Sequence, residues 1–538
     1  MPESINTKQE IPRPSILAPS GNSGRPISPL LTFLLPSIAD LIFIILFFAL
    51  TYGSLAAAML GDADIGWHIR SGENILATRA VPHVDVFSAT MAGRTWFAWE
   101  WLYDALIAWI HRAAGLNGVV AFSAFCVALT FSFVFRWSLK NGGALATTVL
   151  LLLFSIMASS IHFLARPHVV GWLLTIIWFW ILDQSQRSTL EGRTDPTPIC
   201  LPVLMILWVN LHGSFVMGFV LLGIYFVADV VTAFRSRNDQ LRTGALAHAR
   251  MVAAVSVMTA LTSLLNPYGY KLHVHVYQYL SSPFFMQHIE EFRRPDFHRA
   301  PTQFFVLLLA VTVIVILLAR AQLRWSEWLV IGFSSFSGLW AARNLPVSSM
   351  LLTLTVAPIL SRCYRAQTFQ QWQRLLVSQE RFTALEMHLR GHLWPIVLVV
   401  SSAAVCLNQG VILGRQVLNA HFNANHFPVQ AVDFMVRHGY REPIFSLDSY
   451  GGYLIYRLYP AQKVFIDDRH DFYGEEYLRE YLKVLHVESD WQAVLDENHV
   501  DLIVMPSKSK ISDALRQSAA WRGIYSDNTA AVFERSAR

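Results

Sequence analysis

Apolar runs of membrane-spanning length recur along most of this chain, and no other feature limits its fold as strongly. A helix of about 20 apolar residues crosses the hydrocarbon core of a bilayer. Hydrophobic residues make up 54% of the chain and charged residues 15%. Because lipid offers no hydrogen-bond partner to an open backbone, such runs predict an all-α polytopic membrane bundle. We identify about eleven candidate spans by this criterion, at 40–60, 118–136, 144–160, 169–183, 198–210, 214–234, 251–265, 302–319, 326–341, 346–361 and 393–413.

The loops between these spans alternate in charge, and this alternation orients the bundle. The N-terminal segment carries Lys8, Arg13 and Arg25. If that segment is cytoplasmic, every other cytoplasmic loop is basic too, as the positive-inside rule requires. The basic residues of those loops are Arg136, Lys140, Arg187, Arg193, Arg235, Arg237, Arg242, Arg250, Arg320, Arg324, Arg362, Arg365, Arg374, Arg381 and Arg390. An odd number of spans then places the C-terminal segment on the outer side of the inner (plasma) membrane.

Composition divides the chain into three parts. Residues 1–35 are rich in Pro and Ser and are predicted to form a disordered cytoplasmic N-terminus. Residues 36–415 hold the spans, and no small-residue cleavage site follows the first apolar run, which predicts a retained anchor. In residues 420–538, β-rich runs (PIFSLD, KVFIDD, DLIVMP, AAVFER) alternate with helical stretches. This alternation predicts a small soluble α/β domain.

Polar motifs cluster on the non-cytoplasmic side of this topology. DADIGWH, HFLARPH, NLHGS, NPYGYKLHVH and ARNLP all fall in outer loops, and they are rich in His, Asn, Trp and Tyr. Polar groups at membrane depth are expected to line a cavity. The cytoplasmic loops have a different, basic composition, which favours one shared outer cavity over the alternative that loops are simply polar.

The first outer loop, 61–117, is predicted to carry two helices that lie along the membrane surface. Ile65, Ile69, Gly72 and Leu76 repeat at helical spacing. A second stretch, WFAWEWLYDALIAWIHR, has the Trp- and Tyr-rich composition of a membrane interface. The second helix could instead be a true span, which would reverse every later loop, and the basic-loop pattern argues against that alternative.

One span, a long outer loop with a D-x-D pair, many further spans and a soluble outer domain together resemble the GT-C class of membrane glycosyltransferases. That class includes protein O-mannosyltransferases, oligosaccharyltransferases and aminoarabinose transferases. The DxGWH, NLHG, NPYG and RN motifs also resemble those of a large set of bacterial membrane proteins. The resemblance implies that Asp62 and Asp64 help to form the active site, and that the donor is a sugar on a polyprenyl phosphate.

The acid pair suits the chemistry of such a transfer. An acceptor hydroxyl or amine that attacks the anomeric carbon needs a base, and a carboxylate can serve. The leaving phosphate is already a stable anion, so it needs cations rather than an acid. Two carboxylates this close repel each other unless a cation lies between them. If a metal takes part, Asp62 and Asp64 are the predicted ligands of Mg²⁺ or Mn²⁺; helix N-capping is the alternative role for the pair.

Other polar residues of the outer motifs are candidates for substrate binding. Arg166 and Arg343 are the best phosphate ligands, because a guanidinium grips phosphate through two hydrogen bonds. The remaining candidates are His68, Glu100, His162, His168, Asn210, His212 and Lys271. In the soluble domain, Asp467, Asp468, Arg469 and Asp471 bind acceptor or metal, or form a turn with an internal ion pair.

These features predict an integral membrane glycosyltransferase that moves a sugar from a polyprenyl-phosphate donor to a glycan, lipid or protein acceptor of the cell envelope. The net charge of +5 gives no indication of nucleic-acid binding. Three alternatives remain: a metal-independent ligase of whole glycans, a flippase or transporter of lipid-linked saccharides, and a non-catalytic envelope-assembly protein. A flippase is expected to carry broken helices in both halves, whereas the polar motifs here gather at one end of the spans.

Overall fold

A computed structural model describes residues 28–53, 55–319, 323–365, 370–389 and 391–536. The predicted cytoplasmic residues Lys8, Arg13 and Arg25, and the loop residues Arg320 and Arg390, lie outside the described residues. Disorder was predicted up to residue 35, but the chain is already helical at Pro29–Leu34. The Ser28 side chain caps this helix by accepting from the Leu30 N–H, and Pro29 fits its first turn.

Helices make up the membrane region. Their bounds are α1 Pro29–Leu34, α2 Ile38–Thr51, α3 Asp64–Thr78, α4 Trp101–Lys140, α5 Leu145–Ser159, α6 His168–Leu190, α7 Leu201–Leu211, α8 Val216–Arg235, α9 Asp239–Thr262, α10 Tyr270–Ser281, α11 Pro283–His288, α12 Ala300–Ala319, α13 Trp325–Trp340, α14 Leu345–Arg365, α15 Gln370–His388 and α16 Leu393–Leu407.

Seven segments of the described chain are helical, long and apolar enough to cross a membrane: Pro29–Thr51, Trp101–Lys140, Leu145–His162, Gly213–Arg235, Asp239–Thr262, Ala300–Ala319 and Ala342–Cys363. The bent pair Gln379–His388 and Leu393–Leu407 raises this number to eight if it is one span. Helices also stand at the other predicted positions, but α7 is short, α13 has 16 residues, and α6 carries Asp183 and Arg187. The structure therefore confirms a helical membrane protein, but not eleven spans.

An ionic network ties the helices together at the end of the bundle away from the first outer loop. Arg187 and Arg324 both reach Asp183, at 2.8 and 2.9 Å, and Arg362 reaches Glu327 at 2.9 Å. These contacts join α6, α13 and α14 at one end of the bundle. They thereby restrict the relative positions of the other ends of the three helices, on the side of the first outer loop.

The first outer loop contains a surface helix and the start of a long bent helix. The surface helix is α3, and it packs along the first turns of α4. Helix α4 breaks at Gly115, whose φ of 60° and ψ of −160° are open to glycine but not to other residues. The predicted second surface helix is thus the part of α4 before Gly115, and it continues into the span that was predicted separately at 118–136.

The C-terminal region is a small α/β domain. Its elements are β1 Val411–Ile412, β2 Arg415–Gln416, α17 Val429–His438, β3 Ile444–Ser446, α18 Asp448–Leu458, α19 His470–His486, α20 Trp491–Glu497, β4 Leu502–Pro506, α21 Lys510–Gln517, β5 Trp521–Ser526 and β6 Ala530–Arg535. The main sheet has the order β3-β4-β6-β5, with β3 parallel to β4 and the other pairs antiparallel. The predicted strand KVFIDD is not a regular strand, since only Val464 forms bridges, to Ile444 and to Ser88.

This domain packs tightly on the first outer loop. A Cβ on Gly66 of α3 would lie 2.2 Å from the carbonyl oxygen of Gly452 in α18, and a Cβ on Gly452 would lie 2.2 Å from that of Ala63. The Arg70 guanidinium also donates to the Tyr456 carbonyl, with an Nε–O distance of 2.9 Å. The two parts of the chain therefore meet backbone to backbone, directly beside the acid pair.

Candidate active site

A cavity of about 520 Å³ opens where the first outer loop, the ends of the membrane helices and the C-terminal domain meet. This volume is typical of small-molecule sites, which span about 300–1,000 Å³. Nine of the site residues predicted in the membrane region and its outer loops line it: Asp62, Asp64, His68, Glu100, His162, Arg166, His168, His212 and Arg343. Of the candidates in the soluble domain, Asp468, Arg469 and Asp471 line it as well. The outer motifs that carry these residues are far apart in the sequence, and the fold brings them to one place.

Arg166 forms the ionic centre of the cavity. Its guanidinium lies 2.8 Å from Asp62, 2.6 Å from Asp64 and 2.8 Å from Glu291. The turn that carries Arg166 is fixed by the Ala165 N–H, which donates to the Met59 carbonyl at 2.8 Å. Arg166 was predicted to bind donor phosphate, but its charge is already shared among three carboxylates. Its geometry makes it an organiser of the acids.

The acid pair divides into two different positions. The Asp62 carboxylate accepts from the Asp64 N–H at 2.9 Å and so also helps the helix to start. Burial raises the pKa of Asp62 to about 6, and Asp64 adds to this rise while Arg166 opposes it. Asp64 is 4% exposed, and its Oδ1 has no hydrogen-bond partner among the described residues.

A third acid approaches this pair from the C-terminal domain. Carboxylate oxygens of Asp62, Asp64 and Asp468 lie within 4.8 Å of one another. Asp468 also groups with Asp448 and His470 at similar distances. Burial raises the pKa of Asp468 well above its ordinary value, and Asp64 and Asp448 add to the rise. Asp62 and Asp64 contact the Arg166 guanidinium, and no ion pair of Asp468 is found among the described residues. Together the three carboxylates offer oxygen ligands of the kind that a divalent cation takes.

Arg343 is the cation that the cavity leaves available. Of the Arg and Lys residues that line it, Arg166 is bound to acids, and Arg469 is held by Asp467 and Asp85. Arg343 forms no ion pair within the part of the chain that the structure describes, and its guanidinium lies 4.5 Å from the centre of the Phe292 ring. A half-buried guanidinium without a carboxylate partner is suited to an anionic ligand.

Glu100 also lines the cavity, and its carboxylate lies between two histidines. His68 Nε2 lies 3.7 Å from one of its oxygens, and His212 Nε2 lies 3.5 Å from the other. Nδ1 of His68 contacts Asp104 at 2.6 Å. Burial raises the pKa of Glu100 to about 7, against the influence of His68 and Arg166.

Three predicted residues do not line the cavity, and one of them, Asp467, instead forms the internal ion pair with Arg469 that was its alternative role. The Asn210 oxygen accepts from Trp101 Nε1 at 2.7 Å, and its amide donates to the carbonyls of Ile206 and Leu265. Asn210 lies in the last turn of α7, and these bonds hold the end of that helix. His212 follows the helix in an extended conformation and lines the cavity. Lys271 is exposed at the start of α10 and does not line the cavity.

Other lining residues were missed or only partly recognised from the sequence. Glu291 lies in the segment between α11 and α12, which has no apolar periodicity, and the adjacent pair Glu290–Glu291 was its only signal. Burial acts to raise the pKa of Glu291, but Arg166 and Arg343 hold it well below its ordinary value. Asp448 was not identified, and nothing in the sequence relates it to an outer loop almost 400 residues earlier.

One wall of the cavity is aromatic. Phe97, Trp99 and Tyr279 are half-buried there. The ring centres of Trp99 and Tyr279 are 6.1 Å apart. His275 stacks on Phe97 at 4.6 Å and reaches Asp471 at 2.9 Å. Aromatic faces beside carboxylates form a surface that is apolar on one side and polar on the other.

Comparison with known proteins gives a fold match but no sequence match. No family model and no curated protein matches the chain. A structure of the oligosaccharyltransferase AglB from Archaeoglobus fulgidus, in complex with an inhibitory peptide and a dolichol-phosphate, is similar at a TM-score of 0.58 and 12% identity over 93% of this chain and 73% of that one. The apo form of an oligosaccharyltransferase from the same organism is similar at 0.53 and 12% identity, over 87% and 69% of the two chains.

ArnT from Cupriavidus metallidurans, in its apo state, is similar at a TM-score of 0.50 and 12% identity, over 92% of this chain and 97% of that one. These likenesses extend over nearly the whole chain, so they cover both the membrane bundle and the C-terminal domain. They show that the chain has the same overall fold as these oligosaccharyltransferase and ArnT structures.

Proposed function

We propose that this protein is an integral membrane glycosyltransferase, which moves a sugar from a polyprenyl-phosphate-linked donor to an envelope acceptor on the face that carries the C-terminal domain. The observation that carries this proposal is the single cavity in which Asp62, Asp64, Arg166 and Arg343 converge. The GT-C fold supports it, as does the AglB complex with a dolichol-phosphate. The topology read from the basic loops makes this face periplasmic or extracellular, with the N-terminus in the cytoplasm.

Arg343 is the proposed ligand of the donor phosphate. It has no carboxylate partner in the described chain, and it lies at the short turn between α13 and α14, where a membrane lipid can reach it. His162 and His168 stand beside it on the cavity wall. A phosphate at this place meets a positive charge without having to displace an acid, which would be required at Arg166.

The reaction that fits this arrangement is a displacement at the anomeric carbon. The acceptor oxygen or nitrogen forms a bond to that carbon, and the bond from the carbon to the phosphate oxygen breaks. The polyprenyl phosphate leaves with the electron pair, and the acceptor proton passes to a base of the cavity. Because the leaving group is already an anion, Arg343 stabilises the growing charge and no general acid is needed.

Asp62, Asp64 and Asp468 are the proposed ligands of a divalent cation such as Mg²⁺ or Mn²⁺. The carboxylate cluster fits a cation because Asp64 Oδ1 is buried with no hydrogen-bond partner among the described residues, and because the guanidinium that contacts Asp62 and Asp64 is also shared with Glu291. When bound, such a cation would neutralise the cluster and add positive charge near the leaving phosphate.

The aromatic wall formed by Phe97, Trp99 and Tyr279 is proposed to hold the transferred sugar or a glycan acceptor. The C–H face of a sugar ring packs on aromatic side chains, while its hydroxyls can donate to carboxylates such as Asp471 beside this wall.

The test is a transfer assay with the purified full-length protein in lipid nanodiscs. Undecaprenyl-phosphate-linked glucose, mannose and arabinose, each radiolabelled on the sugar, are supplied with a total envelope extract as the acceptor source. We expect label to leave one of these lipids and to enter an envelope fraction. Asp64→Asn should abolish the transfer, whereas Asp513→Asn, an exposed change in the C-terminal domain, should not.

Failure of all three donors, together with movement of intact lipid across proteoliposomes, would instead identify a flippase. Full transfer by the Asp64→Asn variant would also contradict the proposed role of the cavity. A chelator arm tests the cation separately, since loss of transfer on chelation, and its recovery on adding Mn²⁺, would show that the acids bind a metal.

A further inference from the structure

The acids of the first outer loop are poorly placed to take the acceptor's proton. Asp62 and Asp64 are each in contact with the Arg166 guanidinium, at 2.8 and 2.6 Å. They also face Asp468 in the cluster proposed to hold a cation. A carboxylate whose oxygens are taken by a guanidinium and a metal has few lone pairs left for the proton of an acceptor. Another side chain of the cavity wall is therefore better placed to accept the proton of the acceptor.

Glu100 is a carboxylate of the same cavity that makes no contact with an Arg or Lys among the described residues. It lies at the N-terminal end of α4, 9% exposed, and its two oxygens face His68 and His212 at 3.7 and 3.5 Å. These distances are longer than strong hydrogen bonds. Both oxygens can therefore accept a hydrogen bond from a substrate that enters the cavity.

We propose that Glu100 is the catalytic base of the transfer and that His68, held by Asp104, is its positioning residue. This assignment rests on the proposed function. The acceptor O–H or N–H bond breaks, and its proton goes to a Glu100 oxygen. The electron pair of that bond forms the new bond to the anomeric carbon, and the polyprenyl phosphate leaves with the electrons of the old one. No oxidant or further reactant is needed.

The His68–Asp104 pair fixes the direction of this base. His68 is 1% exposed, and its Nδ1 contacts Asp104 Oδ1 at 2.6 Å, so its Nε2 is turned towards Glu100. The histidine ring also packs on Trp67, with ring centres 3.6 Å apart, and edge-on to Tyr103. These two ring contacts and the bond to Asp104 restrict rotation of the imidazole, so Glu100 keeps one partner at a constant place.

Protonation behaviour agrees with this geometry. Burial brings the pKa of Glu100 to about 7, which is close to the value at which a general base works best in neutral solution. The charged and titratable groups that face it are His68, Asp104, Arg166, His212 and Asp471. Burial acts to lower the pKa of His68, but Asp104 and Glu100 raise it, so this histidine favours the ionised carboxylate.

The test compares a nucleophile that carries a proton with one that does not. Azide is an anion, so its attack on the anomeric carbon requires no base. With the donor that the wild-type protein uses, Glu100→Ala should lose transfer to the natural acceptor by about 10²–10⁴-fold. It should still form glycosyl azide, with release of undecaprenyl phosphate, when azide is added. Asp64→Asn should respond to neither nucleophile, because it affects the departure of the phosphate.

Two controls separate catalysis from folding. A thermal shift caused by undecaprenyl phosphate should be the same in Glu100→Gln as in the wild type, which shows an intact donor site. The pH profile of kcat/KM should rise with an apparent pKa near that of Glu100, and His68→Asn should move that pKa upward, because it removes a neighbouring positive charge. Glu100→Asp should keep part of the activity.

Each outcome decides the assignment. If the wild type transfers sugar and Glu100→Gln keeps kcat within about threefold, a loss much smaller than base removal causes, Glu100 is not the base, and the proposed function stands. The same conclusion follows if azide does not restore turnover of Glu100→Ala while donor binding is intact. If the wild type transfers sugar from no donor, the proposed function is rejected, and the assignment of Glu100 is rejected with it.

Discussion

At the scale of single residues, two arginines that look equivalent in the sequence differ in their partners. Arg166 is bound by Asp62, Asp64 and Glu291, whereas Arg343 forms no ion pair in the described chain and lies against the face of Phe292. The order of spans and basic loops in the sequence is sufficient to predict that both arginines lie at the outer ends of spans. Their separation into organiser and free cation depends on Glu291, which lies in a segment without any periodic pattern. No sequence rule could assign it to Arg166.

This difference predicts opposite effects for two matched substitutions. Arg343→Gln should raise the KM for the lipid donor by about 10–100-fold, because a charged hydrogen bond is worth about 1.5–3 kcal/mol, and it should leave thermal stability unchanged. Arg166→Gln should lower the melting temperature, because it leaves three carboxylates without a counter-charge. Melting curves and donor titrations in detergent give both values.

Arg299→Gln is the control for these two variants, since Arg299 is exposed and its ion pairs in the described chain are with Glu290 and Asp296 nearby. It should change neither value. A drop in stability for Arg343→Gln equal to that of Arg166→Gln would show that Arg343 is a structural residue rather than a phosphate ligand.

At the scale of elements, the crossing of α3 and α18 decides where the acids lie. Helical spacing in the sequence predicted α3, and this prediction is easily made because the pattern is local. The helix α18 was not predicted, because SYGGYLIY carries two glycines, which normally argue against a helix. In the structure, Gly452 is required because α18 approaches α3 closely, and not because the chain must be flexible there. The backbone at the start of α3 occupies the place that a side chain at position 452 would take.

The crossing predicts that Gly66→Ala is strongly destabilising. A Cβ there would meet the Gly452 carbonyl oxygen at 2.2 Å, so the two helices must separate and the cavity must widen. Gly332→Ala, in α13, is the matched control, because no atom lies within 4 Å of its added Cβ. In a helix that change should be neutral or stabilising by up to about 1 kcal/mol. Thermal unfolding and the protease sensitivity of the C-terminal domain measure how far each variant is destabilised. Equal stability of the two variants would contradict the close contact between α3 and α18.

At the scale of the whole molecule, the cavity belongs to no single domain. The sequence predicted the helical bundle and the small α/β domain because apolar length and alternating patterns are strong, local signals. It could not predict that Asp468 of the second domain joins Asp62 and Asp64 of the first, because that contact depends on long-range packing. The sequence identified Asp468 as a candidate acceptor or metal ligand at the end of a run taken to be a strand, but it did not indicate which other acids Asp468 meets.

This shared cluster predicts that a divalent cation stabilises both domains together. At a concentration of about 100 times its Kd, Mn²⁺ should add about 2.7 kcal/mol to the free energy of unfolding. Asp468→Asn should greatly reduce that gain, although the residue lies outside the membrane bundle. Asp513→Asn, exposed in the same domain, should keep the full gain. A wild-type response in Asp468→Asn would show that the cation is held by the first outer loop alone.

The bridge between Ser88 and Val464 has a consequence for how the protein is made. Beside it, Thr90 donates to the carbonyl of Phe465, across 375 residues of chain. Synthesis runs from the N-terminus, so the loop is made long before its β-partner emerges from the ribosome. During that interval its tryptophans and buried acids lack the cover that the C-terminal domain gives them, and exposed apolar surface of this kind is prone to aggregate. The cavity is therefore complete only once the C-terminal domain has folded onto the first outer loop.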